Sequence, residues 1–358
     1  MTTLHIFNPE HDISLANGMR KVTPPHAARQ LRHDIGFIPA LWAREGDVVL
    51  VEDYAYACLS YDSVRKSVKR VLGLDTLEAR FVESSSVCCH EICRVEPWGW
   101  DYSVRASLES VVSDKSILPA DDVLFSVRSL SHRETAANLL KTLRFDGTTG
   151  VAIACSTHDE AVAEIFKTGC HAVIKAPWSS SGRGVRFVND SFSGQLTRWM
   201  TNVLAKQQKI MVEPQYRRVC DFGMEFYSHG DGSASYCGLS LFSTTNGAYT
   251  GNLLATECRK REIISRYVSL NLIDKVRDKV CSLAFSPITS SYTGPFGIDM
   301  MIVAPNDRNG YLLHPCVEIN LRRTMGHLAL SLTPLDDDIQ GIMQVVFEDR
   351  FKLRISRG

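Results

Sequence analysis

The sequence predicts an α/β fold that turns to α+β in its C-terminal part. Two observations carry this. Up to about Glu83, short apolar runs alternate with helix-period segments, the β-α-β rhythm of a parallel sheet covered by helices. From Ile210 to Asn320 the runs are mostly strand after strand, with turn residues between them. The chain has 358 residues, more than one hydrophobic core usually supports, so three segments are expected: 1–125, 126–212 and 213–358.

The first segment opens with a strand, Leu4-His5-Ile6-Phe7. Asn8-Pro9-Glu10-His11-Asp12 follows, and reads as a helix start with Asn8 as cap, Pro9 at the first position and acids in the first turn. The same place is the carboxyl end of a first parallel strand, where ligands of open α/β sheets bind. His26–His33 and Ser63–Leu72 are helical in pattern, and Asp47–Val51 and Arg80–Glu83 are strands. Pro97-Trp98-Gly99-Trp100 reads as a turn, and the segment ends near Pro119–Asp122.

In the second segment, Arg133–Leu143 is helical, with Ala136, Leu139, Leu140 and Leu143 on one face. Val151–Cys155 is a strand, and Thr157-His158-Asp159-Glu160 is a capping box that opens a helix to Lys167. The strand Ala172–Pro177 contains Lys175, whose charge needs an anionic partner if buried. After it comes Trp178-Ser179-Ser180-Ser181-Gly182-Arg183-Gly184, whose glycines and hydroxyls suit an anion nest. The pattern is not the Walker loop, and the alternative is a hairpin turn with a snorkelling lysine. A helix at about Ser193–Gln208 and a strand at Ile210–Tyr216, broken by Pro214, follow.

The third segment shows strands beginning at Asp221, Tyr236 and Asn246, then one long helix over roughly Arg261–Ala284. Gly294–Val303 and Tyr311–Arg322 then form a hairpin joined through Pro305–Gly310. Thr324–Leu332 and Asp336–Phe347 are predicted to be closing helices. Strand alternation sets Glu318, Asn320 and Arg322 on one face. Antiparallel partners keep a constant index sum. Asp299 with Glu318 gives 617, which centres the hairpin between Arg308 and Asn309. Two carboxylates side by side on neighbouring strands repel unless a cation joins them, and hard oxygen donors suit Mg²⁺. The alternative is two surface acids on a solvated face.

Composition excludes several roles. Lysine plus arginine and aspartate plus glutamate are 40 each, so nothing argues for a nucleic-acid or membrane partner. No apolar run reaches membrane-spanning length, and Met1-Thr2-Thr3-Leu4-His5 does not open a signal peptide. Eleven scattered cysteines are expected to be reduced, in keeping with the cytoplasm. Cys88-Cys89-His90-Glu91-Ile92-Cys93 has no second CxxC nearby and reads as strand cysteines without metal. There is no internal repeat or low-complexity tract.

Taken in order, these pieces resemble the ATP-grasp family, known from carboxylate–amine ligases such as D-alanine–D-alanine ligase. The resemblance spans roughly Ser129–Leu332. It rests on a strand lysine, a Ser/Gly loop, a hydrophobic-Glu segment, an acid eight residues on, then Asp and Glu-x-Asn. It implies an ATP-grasp fold preceded by a Rossmann-like pre-ATP-grasp domain, with ATP and Mg²⁺ as cofactors and Mn²⁺ as the alternative metal. By this resemblance Lys175 would hold the α- and β-phosphates, and Ser180, Ser181 and Gly182 would fold over them. Glu213, Pro214, Gln215 and Tyr216 would face the adenine, and Asp221 the ribose. Asp299, Glu318 and Asn320 match the metal ligands. Arg322 matches an arginine near the transferred phosphate or acyl group, with Arg323 beside it as the competing choice.

Two departures stand out. Arg133, within Ser131-His132-Arg133, stands where the family carries a phosphate-binding lysine; it keeps the charge and changes a point donor to a planar fork. The NPEHDISLANG stretch replaces the family's glycine-rich substrate loop, so no substrate is transferred. The implied activity is ATP-dependent joining of a carboxylate to an amine or peptide through an acylphosphate. Glu10, His11 and Asp12 are candidates for amine or carboxylate recognition. The alternatives are an ATP-grasp phosphotransferase acting on a hydroxyl and a non-catalytic nucleotide-binding regulator.

Overall fold

Three sheets make up the protein in a computed structural model that describes residues 2–179, 184–189, 193–245, 248–282, 285–305 and 310–358. The first is parallel. Its strands are β1 (Thr2–Ile6), β2 (Val48–Leu50), β3 (Arg80–Val82) and β4 (Ile92–Pro97), in the order β3-β2-β1-β4. Helices α1 (His11–Asn17), α2 (His26–Ile35), α3 (Tyr54–Leu72), α4 (Tyr102–Leu108) and α5 (Asp121–Leu130) accompany it. The strands are short; the inner ones bury Leu4, Ile6, Val48 and Val49, and the edge strand β4 leaves Cys93 and Arg94 exposed. Asp53 caps α3 by accepting the Tyr56 amide at 2.9 Å, and Gly73 ends it at φ 71°.

The expected cap of the first helix is not there. Asn8 bonds across to the end of β4, its Nδ2 donating to Gly99 O at 2.9 Å and its Oδ1 accepting from Gly99 N at 3.3 Å. Glu10 holds the cap position, without a side-chain bond, and α1 begins at His11. Asn8 thus ties the carboxyl ends of two neighbouring parallel strands together.

The second sheet is antiparallel in the order β5-β8-β6-β7. It follows α6 (Arg133–Leu140) and comprises β5 (Ile153–Cys155), β6 (His171–Lys175), β7 (Val185–Asn189) and β8 (Ile210–Pro214). Helices α7 (His158–Lys167) and α8 (Gly194–Gln207) cover it, burying Ile165, Met200 and Val212. Thr157 accepts the Glu160 amide as the cap of α7, and Glu160 reaches back to the Ser156 amide.

The third sheet has seven antiparallel strands in the order β13-β12-β9-β10-β11-β14-β15. They are β9 (Arg218–His229), β10 (Ala234–Thr245), β11 (Ala248–Leu254), β12 (Thr293–Val303), β13 (Leu312–Asn320), β14 (Gly341–Phe347) and β15 (Phe351–Arg357). Helices α9 (Glu257–Ser265), α10 (Leu270–Cys281), α11 (Ser286–Thr289) and α12 (Met325–Ser331) complete it.

Two expectations are corrected here. The single helix over Arg261–Ala284 is two helices, because Ser269 caps a new one by accepting the Leu272 amide. The apolar period runs on across the break and conceals it. Asp336–Phe347 is not a closing helix: Gly341–Phe347 is β14, between β11 and the unanticipated β15. Its apolar spacing fits either period, and the open edge of β11 decides for the strand.

The first and third sheets share a core. Phe7, Val49 and Val68 pack with Leu254, Leu328, Met343 and Ile355 in one apolar cluster. Asp34 accepts the Phe351 amide at 2.9 Å across the same junction.

Candidate functional site

The hairpin of β12 and β13 sets the geometry. Asp299 pairs directly with Glu318, and Gly297 with Asn320, at the predicted index sum of 617. Beyond Asp299 the sum falls to 615, with Met301 opposite His314. The extra residues of β13 include Pro315, which has no amide to give the ladder, so a bulge there is the expected solution. Alternation puts Phe296, Ile298 and Met300 into the core and leaves Asp299 on the other face. On β9, Asp221, Gly223 and Glu225 share that face, opposite Met301, Asp299 and Gly297.

Asn320 Nδ2 donates to Asp299 Oδ2 at 3.3 Å. Burial, then the charges of Glu318 and Glu225, push the Asp299 carboxyl up to about 8. Glu318 Oε1 accepts from Arg133 Nη2 at 2.7 Å. Arg133 also donates from Nη1 to Ala176 O and Ser179 Oγ, each at 2.7 Å. The start of α6 is thereby fastened to the residues that precede the Ser/Gly loop and to the third sheet. Ser180, Ser181 and Gly182 lie outside the described residues.

Lys175 has an anion partner within the protein: its Nζ is 2.7 Å from Glu213 Oε2, and both side chains are buried. Pro214 ends β8, and the Gln215 amide donates to His171 O at 2.9 Å. The Tyr216 ring meets His314 edge-on at 5.5 Å, and burial raises its hydroxyl pKa. Asp221 accepts from Thr244 Oγ1 at 2.8 Å and pairs with Arg218 at 3.0 Å; burial raises its carboxyl.

From the first sheet, Glu10 pairs with Arg32 and is not on the cavity wall. His11 Nδ1 lies 3.2 Å from Asp101 Oδ2. Asp12 takes a two-point bond from Arg322, with Nε to Oδ1 at 3.0 Å and Nη2 to Oδ2 at 2.9 Å. Arg323 turns the other way, to Glu96 at 3.1 Å, with its guanidinium over the Trp42 ring.

One cavity gathers residues from all three segments. His11, Asp12, Ser131, Trp178, Glu318 and Asn320 line it. Asp221, Lys175 and Glu213 are not on its wall. Sequence reasoning missed Asp101, Trp178 and His314. Asp101 carried a readable signal, since it follows β4 just as Glu10–Asp12 follow β1, and both ends open on one crevice.

Among the described residues no group of three or more His, Cys, Asp or Glu side chains is arranged to hold a metal ion. The facing pair Asp299 and Glu318 with the Asn320 amide is a smaller set. It fits Mg²⁺, which is commonly held by one or two carboxylates with the remaining positions left to water and phosphate.

No protein-family model matches the chain, and no curated protein matches it in sequence. Solved structures do match in fold. A protein from Archaeoglobus fulgidus described as a "putative ATP-grasp superfamily protein" is similar over 100% of both chains, at TM-score 0.50 and 10% identity. The biotin carboxylase–β,γ-ATP complex from Campylobacter jejuni is similar over 96% of this chain and 75% of that one, at TM-score 0.50 and 11% identity.

Proposed function

Starting from the ATP-grasp fold of this chain, we propose that it is an ATP-dependent ligase joining a carboxylate to an amine. One observation carries the reading: Asp299 and Glu318 face each other beside Asn320, between Arg133 and Arg322. A non-catalytic binder has no need of that set. The substrate carboxylate attacks the γ-phosphorus of ATP, giving an acylphosphate and ADP. The amine then attacks the acyl carbon; the C–N bond forms, phosphate leaves and one proton is released.

The chain's own work is positioning and charge neutralisation. Asp299, Glu318 and Asn320 would hold Mg²⁺, which supplies charge neutralisation at phosphate oxygens. Lys175 exchanges Glu213 for phosphate when nucleotide enters. Glu213, Pro214, Gln215 and Tyr216 line the adenine side, and Asp221 binds the ribose. Arg133 supplies the second cation at the phosphates. Arg322 stabilises charge on the transferring group. Both arginines are paired, Arg322 with Asp12 and Arg323 with Glu96; it is the nearness of Arg322 to Glu318 and Asp299 that supports it as the arginine nearer the reaction. Glu10 is off the cavity wall and pairs with Arg32, whereas His11 and Asp12 line the cavity, which supports these two as the residues that meet substrate.

The test is calorimetric binding of a non-hydrolysable ATP analogue, with and without Mg²⁺, to wild type and Glu318→Ala. Binding should tighten with Mg²⁺, and the variant should lose about tenfold in affinity, or 1.4 kcal/mol. No binding by folded wild type would mean a degenerate site and overturns the reading in favour of a regulatory or structural protein. With binding in hand, carboxylates and amines are screened for ADP and phosphate release. A phosphorylated product without free phosphate would make the protein a phosphotransferase.

A further inference from the structure

We infer that His11 and Asp101 form an oriented pair whose free ring nitrogen accepts a hydrogen bond from the substrate's amine. This rests on the ligase reading and decides which of the two substrate groups meets the first sheet.

Four nitrogen atoms surround the Asp101 carboxylate. Asp101 Oδ1 accepts the Ser103 and Val104 amides at 2.8 and 2.9 Å, as the cap of α4. Asp101 Oδ2 accepts from Asn8 Nδ2 at 3.3 Å. That amide cannot be reversed, because Asn8 Oδ1 accepts from Gly99 N while Nδ2 also donates to Gly99 O. Every neighbour of the Asp101 carboxylate is therefore a donor, and the fourth, His11 Nδ1, must carry a proton too. In a neutral ring the other nitrogen, Nε2, is then an acceptor.

Nε2 has no partner among the described residues, although the His11 side chain is 1% exposed. A buried acceptor without a donor is costly, and it needs a ligand or water to satisfy it. The ring cannot turn aside. It lies over Gly99, where an added Cβ would come within 2.7 Å of Cγ and Cδ2. His11 lines the cavity that also holds Asp12 and Glu318. The charged groups about it are Glu10 and Asp12 on its own helix, Asp101 on α4 and Glu318 on β13. Arg32 lies beyond Glu10, Arg322 beyond Asp12 and Arg133 beyond Glu318. A bare imidazole nitrogen beside carboxylates attracts an N–H donor and repels an ionised carboxylate.

The experiment uses full-length protein labelled with ¹⁵N-histidine, saturated with Mg²⁺ and the ATP analogue. The His11 ring signals are assigned by their loss in His11→Gln. The expected state has a proton on Nδ1 and none on Nε2. Titrated ethylamine should shift Nε2, at a midpoint about tenfold or more below that of acetate. In Asp101→Asn the amide donates to Nδ1, the proton moves to Nε2, and the preference should reverse towards acetate. A protonated Nε2 in wild type, acetate binding as well as ethylamine, or no shift with either probe overturns the inference. If the analogue fails to bind, the ligase reading falls, while the ring protonation of the free protein still decides the orientation of the pair.

Discussion

Arg322 and Asp12, 310 positions apart in sequence, meet as a planar fork on a carboxylate at 3.0 and 2.9 Å. Burial alone would raise the Asp12 carboxyl; Arg322 overcomes it and holds the group below the usual carboxylate range. The pair fastens the end of β13 to the first turn after β1. Two parts of the cavity wall, His11–Asp12 and Glu318–Leu321, are joined by this contact.

Arg322→Ala should lower stability by about 3 kcal/mol, because a mostly buried Asp12 is left unpaired. Arg322→Lys should recover only part of it, since an ammonium cannot span both oxygens. Urea denaturation of the two variants checks this. Equal stability of all three proteins would show the pair to be incidental.

Lys175 and Glu213 make a second buried pair, at 2.7 Å. Lys175→Met should cost about 3–5 kcal/mol and Glu213→Leu a similar amount, while the double variant should recover most of the loss. Nucleotide binding should be lost in all variants lacking Lys175. A double variant that still binds the ATP analogue as wild type does would remove Lys175 from the nucleotide site.

Asp299 imposes a pH dependence. Its carboxyl, ordinarily at 3.8, is pushed up to about 8 by burial, Glu318 and Glu225. The folded state then holds a proton that the unfolded chain releases. Stability from this group is full below 3.8 and is lost as pH rises through 8. In EDTA, thermal melts of wild type should fall from pH 6 to 9, and those of Asp299→Asn should fall less. Added Mg²⁺ should restore wild type at pH 9 and leave the variant unchanged.

His314 acts at the other end of the scale. Burial, then the Lys175 and Arg144 charges, push its imidazole down to about 3, and neither ring nitrogen has a partner among the described residues. The folded state refuses a proton that the unfolded chain takes up below 6.5. Stability is full above 6.5 and is lost as pH falls towards 3. His314→Leu breaks no hydrogen bond and should flatten the acid side of the melting curve between pH 6 and 4. An unchanged slope would place the acid sensitivity elsewhere, His132 being the next candidate.

Much of this was legible in the sequence because the signals were local. The β-α-β rhythm and the capping residues of α7 depend on near neighbours, and the constant index sum led to the Asp299–Glu318 pairing; the turn expected at Pro305–Gly310 falls mostly on residues 306–309, outside the described residues. What was not legible depends on distant partners. Asn8 reads as a cap until Gly99 arrives beside it. Gly341–Phe347 reads as either period until β11 offers an edge. Lys175 announces an anion and does not say that the anion is Glu213. Asp101 has no pattern of its own, and only the adjacency of β1 and β4 gives it a role.

The core shared by the first and third sheets bears on how the protein is made. Phe7, Val49 and Val68 leave the ribosome well before Met343, Leu353 and Ile355, with which they share one cluster. The segment that carries the first sheet can form its helices and begin its sheet, but one apolar face stays uncovered until β14 and β15 emerge. Nascent chains stalled before residue 341 should therefore engage a holding chaperone, such as trigger factor in a bacterial extract, and release of the full chain should end that engagement.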